Sequence, residues 1–470
     1  MSVSFLFGCI WILCASAVAQ PSQSASTDDA KQTAAGASVA STVRLSLGTN
    51  ASEMQWLDYR DTAVFSPWIE STPAPTLKAK VAGDLRLHLP PAESEQFASV
   101  SDASDPSILQ PISVRIRDLW MGTRGEHIDT QMGFQRVTWG VGLGISVIDN
   151  FNPYLLENPS RFDQRLSTAA ARVLLHHGPI SIEGVATPFF VPAALPQTDL
   201  AFMMNENDLF DPRCLGGEDV ELGELETRAS LPATSLQNGT VGARIRWTPP
   251  VADLALSWVH GPDSLPQIDG EVVLTGFQTN ANLVNVAVPV VFPQRDIVGL
   301  EGRTQLPADI NAWAELAMVF PDETAATVSE NQLAALVQLG TIGAIPDPTP
   351  TTVTQDGNPY ARWLVGADRF LGPVHAHLQW LHGFPTERQA SDIRDYALMG
   401  LRWNPVPTIR LGTQGLTDFE GWILASDIGF LHSDALETGL GVTWIDGNEA
   451  STLAGFRSAS HIRASARISF

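Results

Sequence analysis

The last ten residues of the sequence are His461-Ile462-Arg463-Ala464-Ser465-Ala466-Arg467-Ile468-Ser469-Phe470. Every even position is apolar and every odd position is polar. Successive side chains of a β-strand point to opposite faces, so this period of two gives one apolar face and one polar face. The stretch therefore predicts a strand that faces water on one side only and that ends in an aromatic residue.

The same alternation recurs in segments that lie far apart in the chain, at 112–117, 240–247, 254–258 and 374–380. A soluble β-sandwich also alternates, because one face of each sheet packs on the core. The two architectures differ in the polar face, which in a sandwich carries Lys, Thr and Glu. Here that face carries Arg, His, Gln and small residues, which is typical of the water-filled interior of a barrel.

The connections between the expected strands alternate between short and long. Short turns are expected at 177–179, 248–250, 306–310, 371–372, 404–406 and 431–435. Longer segments lie between them, at 140–167, 188–239, 261–295, 321–359, 382–393, 416–420 and 446–459, of which only 416–420 is short. Outer-membrane barrels sort their connections in this way, with the short turns on the periplasmic side.

Counting back from Phe470 gives an all-β fold, a transmembrane antiparallel β-barrel of about 16–18 strands of about 9–11 residues each. The number stays open because Ala82-Gly83-Asp84 is either a hairpin turn or an irregularity inside one strand. Aromatic girdles at the two membrane interfaces explain the tryptophans near expected strand ends better than core packing does. These are Trp120, Trp139, Trp247, Trp363, Trp380, Trp403, Trp422 and Trp444.

Composition excludes several classes of protein. The 470 residues include 28 Lys+Arg against 51 Asp+Glu, a net charge of −23. A nucleic-acid binder needs a basic surface for the phosphates, so nucleic acid is excluded as a partner. No run of 18 apolar residues follows Ala19, which excludes a helical membrane protein.

The N-terminal residues predict export. The apolar run Phe5 to Val18 and the small residues Ala17-Val18-Ala19 predict a signal peptide over 1–19. Residues 20–41 are mostly Ser, Ala, Gln and Thr and predict a disordered leader. The barrel is then expected to occupy 42–470 as one domain. Only Cys214 remains after the signal peptide, so no internal disulfide is expected.

Arginine supplies the most coherent set of candidate functional residues. An Arg that faces lipid near the membrane midplane costs about 2–4 kcal/mol, so the strand arginines are expected to point into the lumen. There they would favour anionic solutes or, as the alternative, pair with inward carboxylates and stiffen the wall. The set is Arg115, Arg117, Arg136, Arg172, Arg244, Arg246, Arg303, Arg362, Arg402, Arg410, Arg463 and Arg467.

Other candidates give weaker signals. The acidic segment 188–239 has no calcium-binding spacing and is interpreted as a solvated loop. His375 and His377 share one strand face, but no third ligand is evident, and no metal or cofactor is predicted. The nucleophile-elbow, phosphate-loop, zinc-protease and paired-cysteine motifs are all absent from the sequence. The chain is therefore predicted not to be an enzyme, with an outer-membrane hydrolase as the least favoured alternative.

One stretch resembles a family. Gly133-Phe134-Gln135-Arg136-Val137-Thr138-Trp139-Gly140, followed by Asp149-Asn150-Phe151-Asn152-Pro153, is similar to a motif of proteobacterial porin-like outer-membrane proteins, relatives of alginate-export and phosphate-type porins. Phe134 stands where that motif has a basic residue. The terminal strand that ends in Phe470 likewise resembles the assembly signal of bacterial outer-membrane barrels.

The resemblance implies a channel in the outer membrane of a Gram-negative bacterium and leaves the solute unnamed. By similarity, the segment 140–167 folds into the lumen, and Asp149, Arg161, Asp163 and Arg165 face each other across an eyelet. The expected function is diffusion of a small polar or anionic solute. The alternative is an adhesive or surface-structural role for the acidic loops. Expected partners are lipid, lipopolysaccharide, the barrel-assembly machinery through Phe470 and the solute; the oligomeric state is left open.

Overall fold

The computed structural model describes residues 32–46, 59–74, 76–88, 112–156, 164–194, 221–233, 238–278, 283–332, 334, 351–448 and 451–469. In chain order the strands are β1 (Gln32–Ser46), β2 (Tyr59–Ala74), β3 (Leu77–His88), β4 (Ile112–Arg124), β5 (Ile128–Gln135), β6 (Thr168–His177), β7 (Ile180–Thr187), β8 (Glu221–Ala229), β9 (Thr240–Trp247), β10 (Ala252–Pro262), β11 (Gln267–Ile268), β12 (Gly270–Glu271), β13 (Val273–Gln278), β14 (Leu283–Val291), β15 (Gln294–Leu306), β16 (Ile310–Pro321), β17 (Thr324–Thr327), β18 (Thr351–Gln355), β19 (Tyr360–Leu371), β20 (Val374–His382), β21 (Asp395–Val406), β22 (Ile409–Thr417), β23 (Gly421–Leu431), β24 (Leu436–Gly447) and β25 (His461–Ser469). A 3-10 helix, Thr452–Ala459, precedes the last strand.

Eighteen of these strands form one closed antiparallel sheet. They are β1 to β7, β9, β10, β15, β16 and β19 to β25, and each pairs with its neighbour in chain order. The ring closes where β1 pairs with β25, with Val39 opposite Ile468. The predicted transmembrane-type antiparallel barrel is confirmed, at the upper end of the expected strand number. The remaining strands form two small sheets within the long connections.

The predicted sorting of connections is confirmed in detail. Short turns join β6 to β7, β9 to β10, β15 to β16, β19 to β20, β21 to β22 and β23 to β24. The turn expected at 404–406 lies instead at 407–408, because β21 continues to Val406. Ala82-Gly83-Asp84 lies inside β3, where the register with β4 shifts. This segment is therefore an irregularity within one strand, and β2 and β3 meet where Ala74 pairs with Leu77.

The barrel begins at Gln32 rather than at residue 42, which corrects the expected extent of the disordered leader. Residues 32–41 are mainly Thr, Ala, Gly and Ser, and such small residues give no contrast between two faces. Their strand is specified by its neighbours, because β1 is hydrogen-bonded to β2 on one side and to β25 on the other. The predicted signal peptide and residues 20–31 lie outside the described residues.

The outer surface of the wall is apolar and the inner surface is mixed. In β10, Leu256 and Trp258 are 52 % and 42 % exposed, whereas Ser257 and Val259 are each 5 % exposed. Exposed tryptophans occur near both ends of strands, at Trp247, Trp258, Trp380, Trp403, Trp422 and Trp444. An apolar band with aromatic rims suits the hydrocarbon layer of an outer membrane. Among the described residues, no helix is long and apolar enough to cross a membrane.

The hydrophobic core lies inside the barrel, where connections fold back into the lumen. Residues 136–156, between β5 and β6, contribute Val137, Trp139 and Ile148 to it. Trp139 is buried and packs edge-on against Phe151, with ring centroids 4.6 Å apart. It is therefore a core residue and not part of the predicted girdle, because its connection turns inward immediately after β5.

Candidate functional site

The lumen is narrowed by the connection at residues 136–156, named the inner loop from here on. Glu315, on β16, holds it against the opposite part of the wall. Its Oε1 accepts hydrogen bonds from the backbone N–H groups of Val141 and Gly142, at 2.5 and 2.7 Å. Its Oε2 accepts from the Ser146 hydroxyl at 2.8 Å and from the Val147 N–H at 2.9 Å. One buried carboxylate thus satisfies four donors of a segment that has no regular structure.

Gln379, on β20, holds the next part of the inner loop. Its Oε1 accepts from the Leu143 N–H at 3.1 Å and from the Trp313 indole at 2.9 Å, while its Nε2 donates to the Ile145 carbonyl at 3.3 Å. The close approach of the loop backbone to Glu315 requires glycine at 140, where φ is +102° and a Cβ would lie 2.7 Å from Glu315 Oε1. The inner loop is therefore fixed across the lumen by side chains of two wall strands.

Asn152 fixes the base of the inner loop. Its Oδ1 accepts from the Val137 N–H at 2.7 Å, and its Nδ2 donates to the Leu166 carbonyl at 2.8 Å. The loop therefore starts and ends at nearly the same place on the wall. This gives a physical role to the Asn in the motif Asp149-Asn150-Phe151-Asn152-Pro153.

Two of the four expected eyelet residues are brought together. Arg165 Nε lies 3.6 Å from Asp149 Oδ2, and the Arg165 guanidinium lies 3.5 Å from the centre of the Tyr154 ring. Burial raises the pKa of Asp149 to about 6, and the nearby Arg165 acts against that rise. Both side chains are buried, so the pair is in direct contact within the packed interior. Arg161 and Asp163 lie outside the described residues.

Several predicted wall arginines pair with inward carboxylates. Arg172 Nε lies 2.6 Å from Glu183 Oε1, and Arg117 Nε lies 3.0 Å from Asp84 Oδ1. Arg244 is buried and contacts Glu301. This pairing is the alternative that the sequence left open beside anion attraction, and for these residues the geometry supports it.

The other predicted arginines are spread around the wall. Arg115 alternates with exposed Val114 and Ile116. Arg463 and Arg467 lie on β25, opposite Gly441 and Glu437 of β24.

Arg136 departs from this arrangement. It directly follows β5 and is exposed, whereas its neighbours Gln135 and Val137 are buried. The structure nevertheless brings Arg136 near Asp149, since its positive charge lowers the pKa of that carboxyl and so acts against the effect of burial.

A cavity of about 290 Å³ lies between the inner loop and the wall. The loop contributes the backbone at 140–142, and the wall contributes Arg246, Asp253, Glu301 and Arg303 as polar lining. Arg246 Nη2 lies 4.0 Å from Glu301 Oε1, and Asp253 is the cross-strand partner of Arg303. The cavity is therefore lined on one side by the inner loop and on the other by charged side chains of the wall.

Sequence reasoning missed Glu315 and Gln379. One signal was present: Glu315 is the only charged residue in the strand Ile310–Pro321, and an isolated charge in an apolar strand requires a partner. Reasoning also missed a buried cluster of Asp263, Arg295, Arg362 and Arg388, whose members come from four separate parts of the chain.

The chain was compared with known proteins. No protein-family model matches it, and no curated protein matches it by sequence. Among solved structures it is similar to the outer-membrane protein OpdK from Pseudomonas aeruginosa, with 8 % identity, 94 % of this chain and 98 % of that chain covered, and a TM-score of 0.46. It is similar to Acinetobacter baumannii OccAB3, with 10 % identity, coverage of 93 % and 99 %, and a TM-score of 0.47.

A BenF-like porin from Pseudomonas fluorescens Pf-5 gives 10 % identity, coverage of 93 % and 98 %, and a TM-score of 0.47. The barrel architecture of this chain is defined by the pairing of its own eighteen strands.

Proposed function

We propose that the chain is an outer-membrane channel through which a small polar or anionic solute diffuses. The observation that carries this proposal is the inner loop, which Glu315 and Gln379 hold inside a closed barrel beside a charged cavity. A barrel that served only as an anchor has no need of a fixed internal constriction. In a channel, such a constriction sets the size and the charge of what passes.

The cavity carries charges of both signs. Arg244 neutralises Glu301, and Arg303 stands opposite Asp253. Arg246 is the third arginine, and Glu315, which accepts hydrogen bonds from the lining backbone of Val141 and Gly142, is the third carboxylate. Fixed charges of both signs in a narrow passage suit a polar solute, and the arginines attract its anionic part.

The test is ion selectivity in a planar bilayer. Replacing Arg246 and Arg303 together by Ala removes two positive charges from the cavity and leaves Asp253. We expect the reversal potential in a salt gradient to move toward cation preference, while the channel continues to conduct.

The control is Arg369→Ala, an exposed arginine on β19 outside the cavity, which is expected to behave as the native chain does. Absence of any conductance by the native protein would contradict the channel. Unchanged selectivity of the double variant would contradict the role of the cavity.

The eyelet of Asp149, Arg161, Asp163 and Arg165 remains part of this proposal. The contact between Asp149 and Arg165 supports it, since it places Asp149 of the inner loop against Arg165, which lies just before β6. The double variant Arg161→Ala with Arg165→Ala belongs to the same bilayer experiment. Unchanged conductance and selectivity in that variant would reject the eyelet.

The finer partner assignments are proposals as well. The apolar outer wall supports contact with lipid, and the acidic outer loops support divalent-ion bridges to lipopolysaccharide. The terminal strand supports recognition by the assembly machinery through Phe470, which lies outside the described residues. Deleting Phe470 and measuring the amount of folded barrel in outer membranes would test the last of these.

A further inference from the structure

Four parts of the chain meet at Asp263, which directly follows β10. Arg295 comes from β15, Arg362 from β19 and Arg388 from the connection between β20 and β21. All four side chains are buried, with Asp263 and Arg362 each 1 % exposed. Asn150 of the inner loop reaches the same cluster, since Arg295 Nη2 donates to its Oδ1 at 3.4 Å.

Both oxygens of the single carboxylate in the cluster already have partners. Asp263 Oδ2 lies 2.8 Å from Arg295 Nη1 and 2.9 Å from Arg388 Nε. Asp263 Oδ1 accepts from the Leu265 N–H at 3.0 Å. Burial alone would raise the pKa of Asp263, but Arg295, Arg388, the hydrogen bond from the Leu265 N–H and Arg362 together hold it below its usual value. Asp263 is therefore ionised and balances one of three positive charges.

Among the described residues, no hydrogen bond or ion pair joins Arg362 to this carboxylate. Its Nε and Nη2 are buried and have no hydrogen-bond partner among the described residues, and the same holds for Arg388 Nη2. Arg362 cannot swing away easily, because a Cβ at Gly383 would already lie 2.4 Å from its Cγ. Its position near Asp263 is fixed by the chain that covers it.

Three guanidinium groups and one carboxylate leave two positive charges in excess inside the packed interior. An uncompensated buried charge is strongly unfavourable, and a guanidinium cannot shed its proton to avoid it. The remaining donors, Arg362 Nε and Nη2 and Arg388 Nη2, are suited to an acceptor that carries negative charge. No such group is available among the described side chains of the cluster.

We propose that a small inorganic anion binds among Arg295, Arg362 and Arg388 and completes this cluster. The anion would bridge β15, β19 and the connection between β20 and β21, and through Asn150 it would support the inner loop. It is a fixed part of the folded barrel and not a solute in transit. The proposal does not rest on the channel function.

The experiment follows the thermal unfolding of the full chain in detergent at constant ionic strength. The bulky anion gluconate is replaced stepwise by bromide or by phosphate. Because a ligand that binds only the folded state stabilises it, we expect the midpoint to rise by about 2 °C or more over a hundredfold increase in the anion. A rise with bromide alone indicates a halide site, and a rise with phosphate alone indicates an oxyanion site.

The variant Arg362→Met removes the unpartnered guanidinium and keeps the length of the side chain. We expect it to lose the dependence on the anion and, in gluconate, to unfold at or above the midpoint of the native chain. The control Arg246→Met removes a cavity arginine and is expected to keep the dependence. Ion selectivity of Arg362→Met is expected to stay native, which separates this site from the channel.

Crystals of the native chain grown with bromide give a second measurement that needs no variant. An anomalous peak between the guanidinium groups of Arg362 and Arg388 is expected if the site accepts a halide. The proposal is overturned if the midpoint is the same in gluconate, bromide and phosphate. It is also overturned if Arg362→Met retains the full anion dependence.

Discussion

At the scale of single residues, Glu315 connects the wall to the inner loop. It is 2 % exposed, and each of its two oxygens accepts two hydrogen bonds from loop donors. The position of the inner loop therefore depends on this one carboxylate, because it accepts from four loop donors at once.

Replacing Glu315 by Gln tests this dependence. An amide can accept on one side only, so at least one buried donor of the loop loses its partner, at a cost of about 1–3 kcal/mol. We expect the loop to loosen and the single-channel conductance to rise and become noisier. The control is Glu437→Gln, a half-exposed carboxylate that pairs with Arg410. Native conductance in Glu315→Gln would contradict a restraining role for this contact.

At the scale of elements, the connection between β20 and β21 holds a buried carboxyl that titrates near neutral pH. Glu387 accepts from the Phe384 N–H at 2.7 Å, from the Arg394 N–H at 3.2 Å and from the Tyr396 hydroxyl at 2.5 Å. Burial raises its pKa to about 7 from 4.5, and these hydrogen bonds only partly offset the rise. The folded chain thus binds a proton at Glu387 more tightly than the unfolded chain does.

The sign of the pH effect follows from this raised pKa. The stabilisation is fully present below pH 4.5 and is lost as the pH rises through about 7. It amounts to about 3 kcal/mol. Asp149 adds a smaller loss of the same sign between pH 3.8 and about 6.

The midpoint of thermal unfolding, measured between pH 4.5 and pH 8, is expected to fall in the native chain. In Glu387→Gln, whose amide stays neutral, the fall above pH 6 is expected to vanish. An equal fall above pH 6 in both proteins would show that Glu387 does not titrate in this range.

The elements also show how far sequence reasoning reaches. Strands such as β10 and β25 were predictable because large apolar and polar side chains alternate along them. The strand β1 was not predictable over 32–41, because its small side chains do not distinguish the lipid from the lumen. The inner loop was predicted from a motif, but its anchor was not: Val141 and Glu315 are 174 residues apart, and only the strand register brings them together.

The Asp263 cluster shows the same limit at the site. Arg362 was one of the strand arginines expected to point into the lumen, whereas no prediction was made from the sequence for Arg295 or Arg388. Their three positive charges exceed the one negative charge of Asp263 only because four distant segments of the chain meet at one point of the interior. Charge counting along the chain cannot find such a site.

At the scale of the whole molecule, stability depends on a closed ring. Removing residues 32–41 takes away most of β1 and leaves β2 and β25 with unpaired backbone groups. In lipid each unsatisfied group costs several kcal/mol. We expect this deletion to abolish the shift in gel mobility that a folded barrel shows on boiling.

The matched control deletes residues 20–31, which precede β1. That variant is expected to keep the heat-dependent shift. A folded, heat-modifiable barrel in the deletion of 32–41 would show that β1 is dispensable for closure.

The hydrogen bonds that Glu315 accepts from the inner loop have a consequence for the order in which the barrel assembles. The loop leaves the wall after β5, while its two anchors lie on β16 and β20. Docking of the loop therefore requires that both parts of the wall are already paired into the sheet. We expect the passage to stay wider until that point and to narrow to its final width late in folding.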